Sequence, residues 1–303
     1  MAKVAFVFAG QGGQYSGMGK DLYDSNLAAR EVFVALDKVH DETSRLCFFG
    51  SKKELTQTVN TQPALFAVDL ACAVALADQG IKPQAVAGFS LGEWPAVAFC
   101  GMLSYDEAFS LTCQRAQFMQ ECAEHHPGVM MAVLRLTSEQ VEKLCEQFTD
   151  VYAVNYNCPG QLVVAGIAEQ MEQFALAVKD AGGRALKLAV SGAFHSPLMG
   201  EAADKMAQIL EHVDFNSPKM SIYSNVTAQA YGDCRKLLTK QIISPVKWQQ
   251  TIENMIEDGF DTFIEVGAGK TLSGLIKKIS KDVNVYNVED METLQATVSA
   301  LQS

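Results

Sequence analysis

The sequence has no Cys-x-x-Cys pair. Its eight cysteines (Cys47, Cys72, Cys100, Cys113, Cys122, Cys145, Cys158 and Cys234) are scattered along the chain, which argues against a zinc ribbon or a thioredoxin-type redox motif. Several lie in apolar helical stretches, where a free thiol behaves as a small hydrophobe, and such usage fits a reducing cytoplasm better than secretion. No apolar run approaches the roughly 20 residues that span a bilayer, so no membrane partner is expected. Basic residues are in deficit, 24 against 35 acidic ones, and the formal net charge of −11 argues against general nucleic-acid binding. The opening MAKVAFVFAGQGG has one Lys and a short apolar stretch, but Gln11 and its glycines interrupt it and no small-residue cleavage site follows. It reads as a buried first strand rather than a signal peptide.

Two phosphate-binding signatures are incomplete. Gly269-Lys270-Thr271 lacks the glycine that a phosphate loop needs at position 264, which is Ile. Gly10-x-Gly12 lacks the third glycine of a dinucleotide fingerprint, because position 15 is Tyr. His125-His126 has no third ligand at suitable spacing, so no metal site is expected.

What the chain does have is a hydrophobic content of 49% over 303 residues, enough for one large core with a small inserted unit. Val4–Ala9, Ala85–Phe89 and Thr262–Val266 are continuous apolar runs, as in parallel strands covered on both faces. Residues 63–79 read as a buried helix, with Pro63 in its first turn and Gly80 as its stop. Ser104-x-x-Glu107 is a capping box that opens a long helix to about Glu124. From Met130 to Ala189 the rhythm changes to β-α-β-β-α-β, the ferredoxin-like order. Ser196 and Pro197 start a helix to about Val213, and Thr271–Ile279 is another. Strands alternating with helices imply an α/β fold. The expected division is a large unit, 1–126 with 193–303, interrupted by a small α+β subdomain at 127–192.

Gly88-Phe89-Ser90-Leu91-Gly92 matches G-x-S-x-G between a strand and a helix, the setting of a nucleophile elbow. Ser90 is the candidate nucleophile. The backbone N–H of Leu91 is the candidate oxyanion donor, and Gln11 after the first strand is the candidate for a second. A serine needs a base. Of five histidines, His40 and His212 lie in polar helical stretches and His125-His126 in a loop. Only His195, within Gly-Ala-Phe-His-Ser-Pro, stands at a join between strand and helix. It comes mid-chain, whereas α/β-hydrolases place theirs late. A simple esterase is therefore disfavoured, and the group orienting the imidazole is expected to be a backbone carbonyl from a later loop.

On a helical wheel, Ala108, Leu111, Thr112, Met119 and Cys122 share one face, opposite Asp106, Ser110, Gln114, Gln117, Glu121 and Glu124. Arg115 falls in the middle of the apolar face. A guanidinium cannot shed its charge, so it needs an anion, either an internal carboxylate or that of a substrate, unless its head snorkels to water. Beside a serine acyl-transfer site, the second option points to a dicarboxylic acyl group.

Four separated motifs resemble one family. They are Phe8-Ala9-Gly10-Gln11-Gly12, Gly88-Phe89-Ser90-Leu91-Gly92-Glu93, Gln114-Arg115-Ala116-Gln117-Phe118-Met119 and Ala193-Phe194-His195-Ser196. Asn155-Tyr156-Asn157-Cys158-Pro159-Gly160-Gln161 and Ser244-Pro245-Val246-Lys247-Trp248 fit as well. The chain resembles the malonyl-CoA:acyl carrier protein transacylases, the acyltransferases of fatty-acid and polyketide synthesis. The resemblance implies a hydrolase-like α/β core with a parallel sheet, carrying a ferredoxin-like insert. It implies a monomeric cytoplasmic enzyme without a cofactor, the CoA thioester being a substrate and acyl carrier protein the partner. It implies ping-pong transfer through Ser90 and His195, with Gln11 and Leu91 holding the oxyanion. Arg115, with Met119 and Phe194 beside the motifs, would bind the acyl group. By the same resemblance a backbone carbonyl near Lys247 would orient His195. Phe89 stands where His is common, and Trp94-Pro95 is unusual after Glu93. The alternatives are a serine thioesterase or other hydrolase, a discrete polyketide-synthase acyltransferase, and a non-catalytic docking module for the carrier protein. For that acidic partner, Arg184, Lys187, Lys270, Lys277 and Lys278 are candidate contacts.

Overall fold

A computed structural model of the protein describes residues 2–190 and 192–302. Met1, Ser191 and Ser303, which the domain ranges above include, lie outside the described residues. The strands are β1 (Val4–Phe8), β2 (Ala85–Gly88), β3 (Gly128–Leu134), β4 (Val151–Cys158), β5 (Gln161–Ile167), β6 (Arg184–Lys187), β7 (Ser221–Tyr223), β8 (Thr262–Val266) and β9 (Asn284–Val288). They form two sheets. One has the order β7-β2-β1-β8-β9 and every pairing in it is parallel. The other has the order β4-β5-β3-β6 and is antiparallel.

The parallel sheet explains the continuous apolar runs. All residues of β1, β2 and β8 are buried, because helices cover both faces. The antiparallel sheet and the helices Ser138–Cys145 and Ala168–Asp180 follow the β-α-β-β-α-β order that the sequence predicts from 130 to 189, with the starts at Ser138, Val151, Gln161 and Arg184 as expected and the other boundaries shifted by a few residues.

Two helices differ from the reading of the sequence. The helix expected to begin at Pro63 begins at Thr58 and runs to Asp78, with Pro63 inside it. Proline has no N–H to give the ladder, but the remaining turns are held by burial on all sides, with Thr61, Gln62, Phe66 and Asp69 all inside. The longer helix is now long and apolar enough, by length and composition, to cross a membrane, contrary to the expectation that no run is; 83% of that window is buried within the protein. The second is the stretch after Ser196. It is a 3-10 turn, Pro197–Met199, followed by an α-helix, Gly200–Leu210. The Ser196 hydroxyl accepts a 3.3 Å bond from Leu198 N–H and so tightens the entry.

These elements converge at the carboxyl ends of β1 and β2, where open parallel sheets place their ligands. Phe8 pairs with Gly88 at the ends of the two strands. The chain after β1 carries Gln11, and the chain after β2 turns into Ser90.

Candidate active site

Ser90 has φ of 54°, a left-handed backbone that costs a residue with a Cβ about 1–2 kcal/mol. The two glycines of the pentapeptide make that turn sterically possible. A Cβ at Gly88 would stand 1.9 Å from the Gly92 carbonyl carbon, and one at Gly92 would stand 2.3 Å from the Phe8 carbonyl oxygen. The strain is held in place from two sides. Ser90 N–H donates to Asn225 Oδ1 at 2.7 Å, and the Ser90 carbonyl accepts from Gln241 Nε2 at 2.6 Å. Asn225 is itself fixed by donating from Nδ2 to the Gly88 carbonyl at 2.6 Å.

The Ser90 hydroxyl lies 2.7 Å from His195 Nε2, across 105 residues of sequence. His195 also has a left-handed backbone, φ 63°, and is almost fully buried. Its Nδ1 is 2.8 Å from the main-chain carbonyl of Gln241. A carbonyl only accepts, so Nδ1 carries the hydrogen and Nε2 presents its lone pair to the serine. The orienting carbonyl therefore comes from Gln241 and not from the vicinity of Lys247. Gln241 ends the helix Cys234–Gln241, and a last-turn carbonyl has no partner further along that helix. Lys247 instead gives its N–H to the Asn225 carbonyl at 3.0 Å. Burial, together with the Arg115 charge, lowers the His195 pKa to about 4.

Gln11 sits on the turn after β1. Its neighbour Gly10 is pressed against the elbow, where a Cβ would meet the Phe89 carbonyl oxygen at 2.6 Å. The N–H groups of Gln11 and Leu91 have no hydrogen-bond partner among the described residues, whereas that of Ser90 is occupied by Asn225. Phe89 meets Trp248 edge-on at 5.5 Å between ring centroids, so an aromatic contact replaces the polar wall that His would give. Pro95 lies in the first turn of the helix Glu93–Phe99, where no intrahelical N–H is lost.

Arg115 is fully buried in the long helix Tyr105–His125, which the Ser104–Glu107 capping box opens as the sequence predicts. No carboxylate lies within ion-pair distance of it among the described residues. Its contacts are neutral amide oxygens: Nη1 donates to Gln62 Oε1 at 2.6 Å and Nη2 to Gln241 Oε1 at 2.9 Å. Nε has no partner. Two bonds leave three of the five guanidinium N–H groups open. Burial lowers its pKa to about 10, and Glu93 opposes that shift. Met119 backs this cradle, its sulfur 3.5 Å from Gln62 Nε2. Phe194, next to His195 in the chain, is buried with its ring against Gly192.

A model of the acyl transferase domain family matches residues 5–297. The chain belongs to the acyl transferase family. Among curated acyl transferases, the malonyl CoA-acyl carrier protein transacylase of Bacillus subtilis is 38% identical, covering 100% of this chain and 98% of that protein. That of Haemophilus influenzae is also 38% identical, over 98% of each. A malonyl CoA-acyl carrier protein transacylase from Clostridium perfringens superposes with a TM-score of 0.96 at 40% identity, covering 99% of this chain and 98% of that one. A malonyl-transacylase solved in complex with a type II PKS acyl-carrier protein superposes with a TM-score of 0.95 at 34% identity, covering 99% of this chain and all of that one.

Sequence reasoning on this acyl transferase missed Gln62, Asn225 and Gln241 and gave Glu93 no role. Asn225 and Gln241 stand in no motif that patterning can single out. Gln62 has a signal: a polar residue next to Pro63 in an otherwise apolar helix. The candidate cations for a partner are dispersed; of these, Lys278 reaches Gln161 with a 3.3 Å bond.

Gly88→Ala is expected to unfold the elbow of the acyl transferase or displace it. The added methyl would overlap main-chain atoms that have no room to shift, an overpacking cost of about 3 kcal/mol or more. Urea denaturation compared with the native chain measures it, and an unchanged midpoint would contradict the geometry.

Proposed function

We propose that the chain transfers a malonyl group from coenzyme A to the phosphopantetheine thiol of an acyl carrier protein, by a ping-pong mechanism through malonyl-Ser90. The observation that carries this reading is the pairing of a Ser90–His195 contact of 2.7 Å with a buried Arg115 that touches no carboxylate.

In the first half-reaction Ser90 Oγ attacks the thioester carbonyl while His195 Nε2 takes its proton. The Gln241 carbonyl, already bonded to Nδ1–H, stabilises the imidazolium that forms. The oxyanion falls to the free N–H groups of Leu91 and Gln11, each worth about 3–4 kcal/mol to the transition state. Collapse expels the coenzyme A thiolate, which takes the proton from His195 and leaves as the thiol. In the second half the carrier thiol gives its proton to His195 and attacks the serine ester, and Ser90 recovers a proton as it leaves. Atoms and charges balance without a cofactor. Arg115 receives the free carboxylate, for which its open N–H groups supply a two-pronged contact, with Met119 beside Gln62 and Phe194 beside His195 in the chain as the further acyl-binding residues. Gln11 lines two adjoining clefts, one with Asn155 and Gln161, the other with Tyr15 and Lys52, and these offer a route for the long thioester arm.

The parallel sheet with its serine elbow supports a hydrolase-like core, 1–126 with 193–303. The antiparallel sheet of 127–192 supports a ferredoxin-like insert. Lys278, bonded to Gln161 at the edge of the first cleft, is one of the candidate cations for an acidic carrier protein. A monomer in the cytoplasm fits this reading.

Intact-mass analysis after incubation with malonyl-CoA should show one malonyl adduct on the native chain and none on Ser90→Ala; absence of any adduct rejects the mechanism. If free malonate forms as fast with carrier protein as without it, the chain is a hydrolase instead. Arg115→Ala should reduce the preference for malonyl- over acetyl-CoA by about 3 kcal/mol, roughly a hundredfold. Equal preference in competition assays would remove the clamp.

The acylation rate should depend on pH through His195. Its folded pKa is lowered, to about 4, so the free base that catalysis needs persists below the ordinary histidine value near 6.5. The rate constant with malonyl-CoA should stay level from pH 8 to about 5 and decline below that. A midpoint near 6.5 in quenched-flow measurements would show that burial does not set this base.

A further inference from the structure

Glu93 is fully buried, yet no step above uses it. Its Oε1 accepts from Asn225 N–H at 2.6 Å, and its Oε2 accepts from Gln241 Nε2. Gln241 meets the nucleophile, the base and the arginine. Its main-chain carbonyl holds His195, its Nε2 holds the Ser90 carbonyl, and its Oε1 holds Arg115.

We propose that Glu93 is a positioning residue for acyl selectivity: its carboxylate fixes which way the Gln241 amide faces, and thereby keeps the acceptor that aims Arg115 at the acyl carboxylate. The proposal rests on the reading of Arg115 as the seat of that carboxylate.

The argument is one of donors and acceptors. A side-chain amide has an acceptor end and a donor end of nearly equal size, so its orientation is set only by its neighbours. Around Gln241 the neighbours agree. Glu93 Oε2 and the Ser90 carbonyl demand its NH2, and Arg115 Nη2 demands its oxygen. Both Glu93 oxygens accept here: burial pushes its pKa up to about 8, while the Asn225 N–H, Tyr231, the Gln241 NH2 and the Arg115 charge favour the carboxylate, so Glu93 meets a backbone donor with one oxygen and the Gln241 NH2 with the other. The isosteric Gln cannot. The Asn225 N–H is a fixed donor and would claim the new amide oxygen. The new NH2 would then face Gln241 and call for its oxygen. Turning Gln241 over to supply it would set NH2 against the Arg115 guanidinium, donor against donor, and take the bond from the Ser90 carbonyl. Arg115 would lose one of its two anchors. Acyl groups with a terminal carboxylate would suffer most, because only they depend on where the guanidinium points.

The test compares single-turnover acylation of Ser90 by malonyl-CoA and by acetyl-CoA. It uses the native chain, Glu93→Gln and Gln241→Met, with thermal unfolding of each. Gln241→Met removes the same amide while leaving the main-chain carbonyl under His195, and it decides the matter if Glu93→Gln fails to fold. The ratio of malonyl to acetyl rates should fall about tenfold or more in each folded variant, the size of one hydrogen bond to a charged group. A purely structural part for Glu93 would slow both donors together and leave the ratio as it was, and that result overturns the proposal. Arg115→Ala is run alongside. If it abolishes the preference while the folded variants keep theirs, the inference about Glu93 fails alone. If Arg115→Ala keeps the preference, the clamp itself is wrong and the inference falls with it.

Discussion

The site is organised around a positive charge that the fold seals away from water without an ion-pair partner among the described residues. Isolating a charge in this way costs several kcal/mol unless other groups solvate it. Arg115 is solvated by two neutral amide oxygens, from Gln62 and Gln241. Neutral acceptors stabilise a guanidinium without cancelling its charge. A carboxylate in direct contact would have cancelled it and left nothing for an incoming anion. The nearest compensation is Glu93, one residue removed through Gln241 and felt only at a distance. The charge is thus tolerated and still available.

The same economy of contacts supports the reacting groups. Ser90 and His195 both have left-handed backbones, each a cost of about 1–3 kcal/mol that persists only where surrounding structure imposes it. For Ser90 the imposing groups are Asn225 and Gln241, one on each side of the residue. For His195 it is the carbonyl at the end of the Cys234–Gln241 helix. Gln241 therefore links the strain at the serine, the orientation of the imidazole and the cradle of the arginine. Substitution there cannot be read as the loss of a single bond.

The parts of this arrangement that the sequence reveals are those carried by local pattern. The elbow shows in two glycines around a serine after an apolar strand. The buried arginine shows as a polar residue on an apolar helical face. The capping box at Ser104 and the helix Thr271–Ile279 are legible for the same reason. What stays hidden joins residues far apart in the chain. Asn225 reaches Ser90 across 135 positions and Gln241 reaches Arg115 across 126, and no periodicity encodes such a pairing. The expected carbonyl near Lys247 was misplaced by six residues because the fold uses the end of a helix, which no motif marks. Pro63 misled in the opposite way. It is a local signal for a helix start, and tertiary burial overrides it.

Burial gives the base and the clamp a further relation. His195 is kept neutral first by desolvation and then by the Arg115 charge. The arginine that would select the substrate thus also weakens the base while the site is empty. On the reading proposed above, an acyl carboxylate seated on Arg115 screens that charge. The imidazole then gains affinity for a proton at the stage when it must take one from Ser90. An acyl group without a carboxylate leaves the charge unscreened and meets a poorer base. Discrimination would then reside in the chemical step as well as in binding, and it would follow from one buried charge placed within electrostatic reach of the imidazole.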